Sequence, residues 1–272
     1  MTSSIREWLN LLVRWTHVFA AIMWVGQTYY FTWLDGQFNK AARNAPADGA
    51  SPSIWMVHSG GFYTVDRQKS LKVRPEQVHW FRWEALMTWL SGMALLVLVY
   101  YSSSGLIDSD VADISQARAI IIGLAVLAGG WIVYDLALRS PLGKSESVFA
   151  LFALLMIAGL AWGLSHLFSG RAAYMHVGAV LGTIMTANVW FGILPSQRKM
   201  VAAAAAGNTF DASLGAQAKL RSKHNTFMAV PVVFIMISNH FPVATYGSQY
   251  GWEVLVGLVL IGWAAAKVIQ ES

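Results

Sequence analysis

Apolar runs of membrane-spanning length, broken by polar stretches, divide the chain near residues 9–33, 80–101, 119–138, 148–168, 172–194, 226–241 and 252–269. A helix rising about 1.5 Å per residue needs roughly 20 residues to cross hydrocarbon, so the pattern predicts an all-α membrane bundle of about seven spans. The chain reads as one integral-membrane domain, 1–272, with two long connections at 34–79 and 195–225. The run at 226–241 is short, and Pro231 inside it predicts a kink that neighbouring helices must satisfy. Residues 46–53 form a small, polar linker, whereas 54–63 are aromatic and apolar without reaching spanning length. That piece is expected to fold back on the membrane face or anchor there, with Gly60 and Gly61 in a tight turn. The alanines at 202–206 either extend the preceding helix or form a short loop helix.

Polar positions inside the runs carry the functional signal. The stretch at 79–101, HWFRWEALMTWLSGMALLVLVYY, holds His79, Arg82 and Glu84 among Trp80, Phe81, Trp83 and Trp89. Helical steps of three and four place Trp80, Glu84, Thr88 and Ser91 on one stripe, which must face other helices. An isolated ionisable group in a span costs roughly 2.5–3.5 kcal/mol on insertion scales and marks a site by default. The plainer alternative has Arg82 snorkelling to the headgroups, Glu84 pairing with it, and the tryptophans in an interfacial belt.

Composition agrees: 56% of residues are hydrophobic and 12% charged, against about a quarter charged in soluble domains. The net charge of +5 does not indicate nucleic acid, because the cations gather in particular loops. Lys40, Arg43, Arg67, Lys69, Lys72 and Arg74 lie in the first long connection, and Arg139 and Lys144 after the third span. Arg198, Lys199, Lys219, Arg221 and Lys223 lie in the second long connection. With alternating spans all face one side, so the positive-inside rule predicts cytoplasmic loops, a periplasmic amino terminus and a cytoplasmic carboxyl terminus. No cleavable signal is expected: the residues up to Asn10 are polar and the next run lacks a small-residue cleavage site. The absence of cysteine excludes disulfides, thiolate metal sites, iron–sulfur clusters and covalent c-type haem in this chain.

Of seven histidines, His17, His166, His176 and His240 fall toward the outer half, while His58, His79 and His224 fall at the cytoplasmic boundary. His17 shares a helical face with Ala21, Trp24 and Thr28, and His176 with Thr183, Ala187 and Trp190. Facing histidines on neighbouring helices can hold a b-type haem, so His17 and His176 are the expected ligands, with His240 and His166 as substitutes. Each is alternatively a hydrogen-bonded helix contact. No glycine-rich nucleotide motif follows a strand, which leaves flavin or nicotinamide without support.

The segment HWFRWEALMTWLSG resembles the membrane domain of bacterial integral-membrane urate oxidases, the cytochrome-c-linked urate hydroxylases of the PuuD type. WTHVFAAIMWVGQTYYFTWLD, HSGGFYTVDRQK, WIVYDLALRSPLG, NVWFGILPSQRKMV and SKHNTFMAVPVVFIMISNHFP agree in the same order, over nearly the whole chain. The first span also resembles, more weakly, the opening helix of the HemJ and CopD groups of membrane haem proteins.

The resemblance implies oxidation of urate to 5-hydroxyisourate, with electrons passing through haem to cytochrome c, in a bacterial inner membrane. Zinc held by histidines would not account for an oxidation. Fuller members carry an eighth span and a cytochrome c domain, which are missing here, so a separate carrier or a fragment is implied. Within that reading Arg82 receives the urate anion while Trp80, Trp83 and Phe81 stack on the purine. Glu84 or His79 acts as base, Asp135 orients, and His224 and Asn225 open the sixth span on the same side. Alternatively Asp135 pairs with Arg139 and Asn225 caps a helix. A purine permease and a b-haem electron-transfer subunit without its own substrate are the rival functions, and a homo-oligomer stays open.

Overall fold

The computed structural model describes residues 3–43, 53–68, 78–209 and 211–271. Most of the 46–53 linker and the cations Lys69, Lys72 and Arg74 lie outside these residues. Helix α1 (Ser3–Arg43) is followed by strands β1 (Ser53–His58) and β2 (Gly61–Asp66). Helix α2 (Trp83–Leu96) runs on as a π-helical turn, Val97–Tyr101, and α3 (Gln116–Arg139) and α4 (Glu146–Ser165) follow. Helix α5 (Gly170–Ala187), a second π turn (Asn188–Ile193) and α6 (Leu194–Ala205) make one continuous rod. Helices α7 (Ala212–Ile237) and α8 (Gly251–Glu271) complete the chain.

Six of these rods are long and apolar enough to cross a membrane. Helix α7 has the length, 26 residues, but its first half carries Lys219, Arg221, Lys223 and His224 and is not among the six. It still packs between α5 and α8 and runs unbroken through Pro231. The helices outlast the apolar windows: α1 continues past residue 33 to Arg43, and the α5 rod takes in Ala202 to Ala205. Alanine, lysine and glutamine are good helix formers, so backbone order does not stop where hydrophobicity does. For the same reason α7 starts early, with the Asp211 carboxylate accepting from Ser213 N at 2.8 Å. His224 and Asn225, expected to open a span, therefore sit in mid-helix.

Large apolar side chains point outward, with Trp15 69%, Ile22 65%, Leu155 63% and Ile261 65% exposed. Inside lie other large apolar side chains such as Phe168, Ile157, Ile184 and Leu255, alanines, and the polar groups Ser91, Asp135, His176, Asn188, Arg221 and Asn225. This arrangement suits lipid, in which polar groups must be satisfied internally. The rod containing α5 forms the centre and contacts α2, α3, α4 and α7. Helix α1 lies at the side against α2, with Arg6 Nη2 reaching Leu98 O at 2.8 Å and Phe31 meeting Phe81 at 5.1 Å. Those contacts make α1 and α2 antiparallel. Alternation of the remaining rods brings Arg43, Trp83, Arg139, Glu146, Asp211 and Glu271 to one end, called here the basic end.

The apolar piece at this end is a two-stranded hairpin, Ser53 opposite Asp66 through His58 opposite Gly61. Its turn residues are Ser59 (φ 48°) and Gly60 (φ 77°), whereas Gly61 belongs to β2. Positive φ at both central residues is the twist that a two-residue hairpin demands. The bundle is otherwise all-α.

One close approach decides how α7 meets the second π turn. A Cβ on Gly192 would lie 2.3 Å from Arg221 Cδ. Gly192→Ala is expected to lose about 1–3 kcal/mol through overpacking. A detergent thermal melt should show this against Gly182→Ala, whose Cβ meets nothing within 4 Å.

Candidate functional site

Two polar patches occupy the basic end, joined by the Asn188–Ile193 π turn. The first is a buried network between α3, the π turn and α7. The Arg221 guanidinium pairs with Asp135 and donates through Nη1 to Asn188 Oδ1 at 2.7 Å. Asp135 also takes Arg139 Nε at 2.7 Å. Asn188 Nδ2 donates to Tyr134 Oη and to Asn225 Oδ1, each at 3.0 Å, and Asn225 Nδ2 donates to Met185 O at 3.0 Å. Tyr134 Oη meets His224 Nδ1 at 2.8 Å, and the imidazole stacks on Phe149 at 4.9 Å with 9° between planes.

Beyond His224 lies a cavity of ≈ 330 Å³ between α4, α7 and α8, floored by α5. Ligand pockets start at about 300 Å³, so a small flat molecule fits this space. Phe149, Phe227 and Trp263 contribute aromatic walls, and Glu146, Lys223 and Lys267 lie at the basic-end mouth. Lys223 Nζ bonds both Glu146 oxygens at 2.8 Å.

The second patch lies between the start of α2 and Trp190 of the π turn. The Arg82 guanidinium is 5.1 Å from the Trp83 ring centre and 6.0 Å from that of Trp190. Arg82 Nε, Glu84 Oε2 and Trp190 Nε1 are buried without a hydrogen-bond partner. Each orphan of this kind costs about 1–3 kcal/mol, and water or a ligand is the usual explanation. The atoms Arg82 Nε and Glu84 Oε2 do not pair with each other. Trp80 packs with Trp24 and Trp190 against Ala85. His79 is exposed, edge-on to Phe81 at 4.6 Å.

The family model described as Urate oxidase N-terminal matches residues 3–271. The chain belongs to the urate oxidase N-terminal family. No curated protein and no solved structure matches it.

In this urate oxidase N-terminal chain the sequence-derived site residues separate into groups. Arg82, Glu84, Trp80 and Trp83 share the α2 patch, whereas Phe81 and His79 lie on its exposed rim. His224 lines the cavity; Asn225 is buried behind it, and Asp135 reaches it only through Arg221, Asn188 and Tyr134. Asp135 does pair with Arg139, and Asn225 caps nothing. Of the expected stripe, Trp80 precedes α2, and the stretch around Thr88 and Ser91 meets α1, where His17 Nδ1 lies 2.9 Å from Thr88 O and 3.1 Å from Ser91 Oγ.

A haem needs an imidazole nitrogen with a free lone pair. His17, His166 and His176 each set Nδ1 against a backbone carbonyl, of Thr88, Trp162 and Ala172 respectively, which leaves Nε2 as the lone-pair nitrogen. His17 Nε2 has no protein partner among the described residues and fits such a role. His176 Nε2 already meets Tyr101 Oη at 3.0 Å, and its ring fills a notch where a Cβ on Gly123 would come within 2.9 Å. His17 touches α2 at Thr88 and His176 touches the π turn after it at Tyr101, well over two turns further along, and the two do not meet. His17 thus offers the nitrogen that a haem iron would need, and His176 does so only if Tyr101 moves. His166 is capped by Trp162 at the opposite end, and His240 follows α7 in a short 3-10 turn there.

Tyr134, Asn188 and Lys267 escaped sequence reasoning, and Arg221 counted only as a loop charge. An asparagine in the interior of an apolar run was the available signal for Asn188. Asp135→Ala is expected to cost about 3–5 kcal/mol by leaving Arg221 buried without its counter-ion. Arg139→Ala, at the 66% exposed partner, should cost at most about 1 kcal/mol in the same denaturation assay.

Proposed function

We propose that this chain is the membrane part of a urate oxidase that converts urate and water to 5-hydroxyisourate, releasing an electron pair and two protons. The observation that carries this reading is the basic-end cavity, with aromatic walls, His224, and Lys267 and the Lys223–Glu146 pair at the mouth. Urate is flat and anionic at neutral pH, so ring faces and ammonium groups complement it. The family match supports the choice of urate. The electron acceptor in this reading is cytochrome c; His17 would hold a haem b, which would supply the one-electron redox couple that side chains lack. By the positive-inside rule the basic end faces the cytoplasm of a bacterial inner membrane and the amino terminus faces the periplasm. Urate therefore enters from the cytoplasm.

A second receptor for the anion is Arg82 with Trp83 and Trp190, favoured by the unpartnered Nε and indole N–H there. Arg82 offers a fork to planar oxygens, and Glu84 a carboxylate to take a proton from water or substrate.

Purified protein should reduce added cytochrome c in a urate-dependent manner; no urate dependence overturns the reading. Lys223→Ala is expected to raise KM for urate about tenfold if the cavity is the receptor, and Arg82→Ala by a similar factor if the α2 patch is. The variant with the larger effect identifies the receptor. For the cofactor, dithionite-reduced protein should show a b-type absorbance that His17→Ala removes, and an unchanged spectrum in His17→Ala rejects that ligand.

A further inference from the structure

The network behind the cavity has a direction. A guanidinium only donates, so Arg221 Nη1 requires the carbonyl side of Asn188 to face it. The Asn188 amide nitrogen then faces the other way, and its two protons go to Asn225 Oδ1 and Tyr134 Oη. Asn225 obeys the same sense, since its own amide nitrogen donates to the Met185 carbonyl. Tyr134 Oη thus receives a hydrogen bond and has one proton left to give. The acceptor within reach is His224 Nδ1, at 2.8 Å. A reversed assignment would leave the phenol proton buried with no acceptor, at a cost of about 1–3 kcal/mol. A neutral imidazole that accepts at Nδ1 carries its proton on Nε2.

That nitrogen has no partner among the described residues, and the ring lines the cavity. Phe149, parallel to it, keeps the ring plane fixed. We propose that His224 acts as an oriented hydrogen-bond donor, through Nε2–H, to a carbonyl or enolate oxygen of the ligand in this cavity. Arg221, Asn188 and Tyr134, held by Asp135, are the positioning residues that set its tautomer. The ligand identity, a purine oxygen of urate, rests on the function proposed above; the tautomer does not. In this arrangement His224 grips an oxygen and does not remove a proton from the substrate, so the base must be sought elsewhere.

Nitrogen-15 NMR of histidine-labelled protein in lipid nanodiscs, with His224 assigned by its loss in His224→Gln, reads the tautomer directly. The expected signal is a neutral ring protonated at Nε2 with Nδ1 accepting. Asn188→Asp places a carboxylate beside Tyr134, which would then draw the phenol proton and turn Nδ1 of His224 into the donor, reversing the pattern. Tyr134→Phe, which needs no new charge, should release the ring to a mixture of tautomers. A wild-type ring protonated at Nδ1, or one indifferent to Tyr134→Phe, overturns the relay.

Turnover provides the second readout. His224→Gln keeps an N–H donor and no useful base, so it should retain urate-dependent cytochrome c reduction within about tenfold, whereas His224→Leu should raise KM more than tenfold. Equal loss in both variants overturns the donor role. Absence of urate turnover in the unaltered protein would reject urate and leave the NMR result to judge the tautomer on its own.

Discussion

A guanidinium inside an apolar bundle must be neutralised and hydrogen-bonded at once, and at Arg221 this requirement organises the basic end. Asp135 on α3 supplies the countercharge and Asn188 on the π turn accepts a further hydrogen bond. Together they tie α7 to α3 and to the central rod at one depth. Gly192 is needed because the aliphatic stem of Arg221 passes over it with no room for a methyl group. Because arginine can only donate, the choice of donor and acceptor propagates outward through Asn188 and Tyr134 to the imidazole at the cavity wall.

The π turn gives this network and the tryptophan patch a common origin. A π turn inserts a residue into the helical ladder and re-aims the side chains around it, which is why such turns gather at functional positions. Here Asn188 points into the ionic network while Trp190 packs against Arg82 and Trp83. The patches differ in what they leave unsatisfied. Around Arg221 the buried polar atoms are paired among the described residues and only the cavity-facing Nε2 of His224 is left over; around Arg82 three buried atoms have no partner.

The remaining histidines follow a similar economy of polar groups in an apolar setting. His17 uses Nδ1 to hold the α2 backbone, and His176 lies fully buried in a notch made by Gly123. Their anchored Nδ1 atoms expose or conserve Nε2, the arrangement from which an imidazole can ligate a metal. Of these two, His17 presents that nitrogen without a protein partner among the described residues.

Sequence periodicity and composition by themselves determined the membrane setting, the number of rods, the polar stripe on α2 and the grouping of basic residues at one end. These depend on hydrophobic length and 3.6-residue spacing, which are local properties. The same reasoning singled out Arg82, Glu84, Asp135 and His224, since each is ionisable beside or within an apolar run, and packing places them in the two polar patches. Local pattern could not place helix ends, because alanine and lysine extend a helix beyond the lipid boundary, nor the strands of the hairpin, whose turn needed Ser59 in a left-handed conformation. Tertiary structure alone decided that Arg82 Nε and Glu84 Oε2 are buried without a partner among the described residues, that Tyr134 and Asn188 stand between Asp135 and His224, and that a cavity opens beside α7. Those facts depend on which helix faces which across the bundle, and residues far apart in the chain acquire hydrogen-bond direction only when packing brings them together.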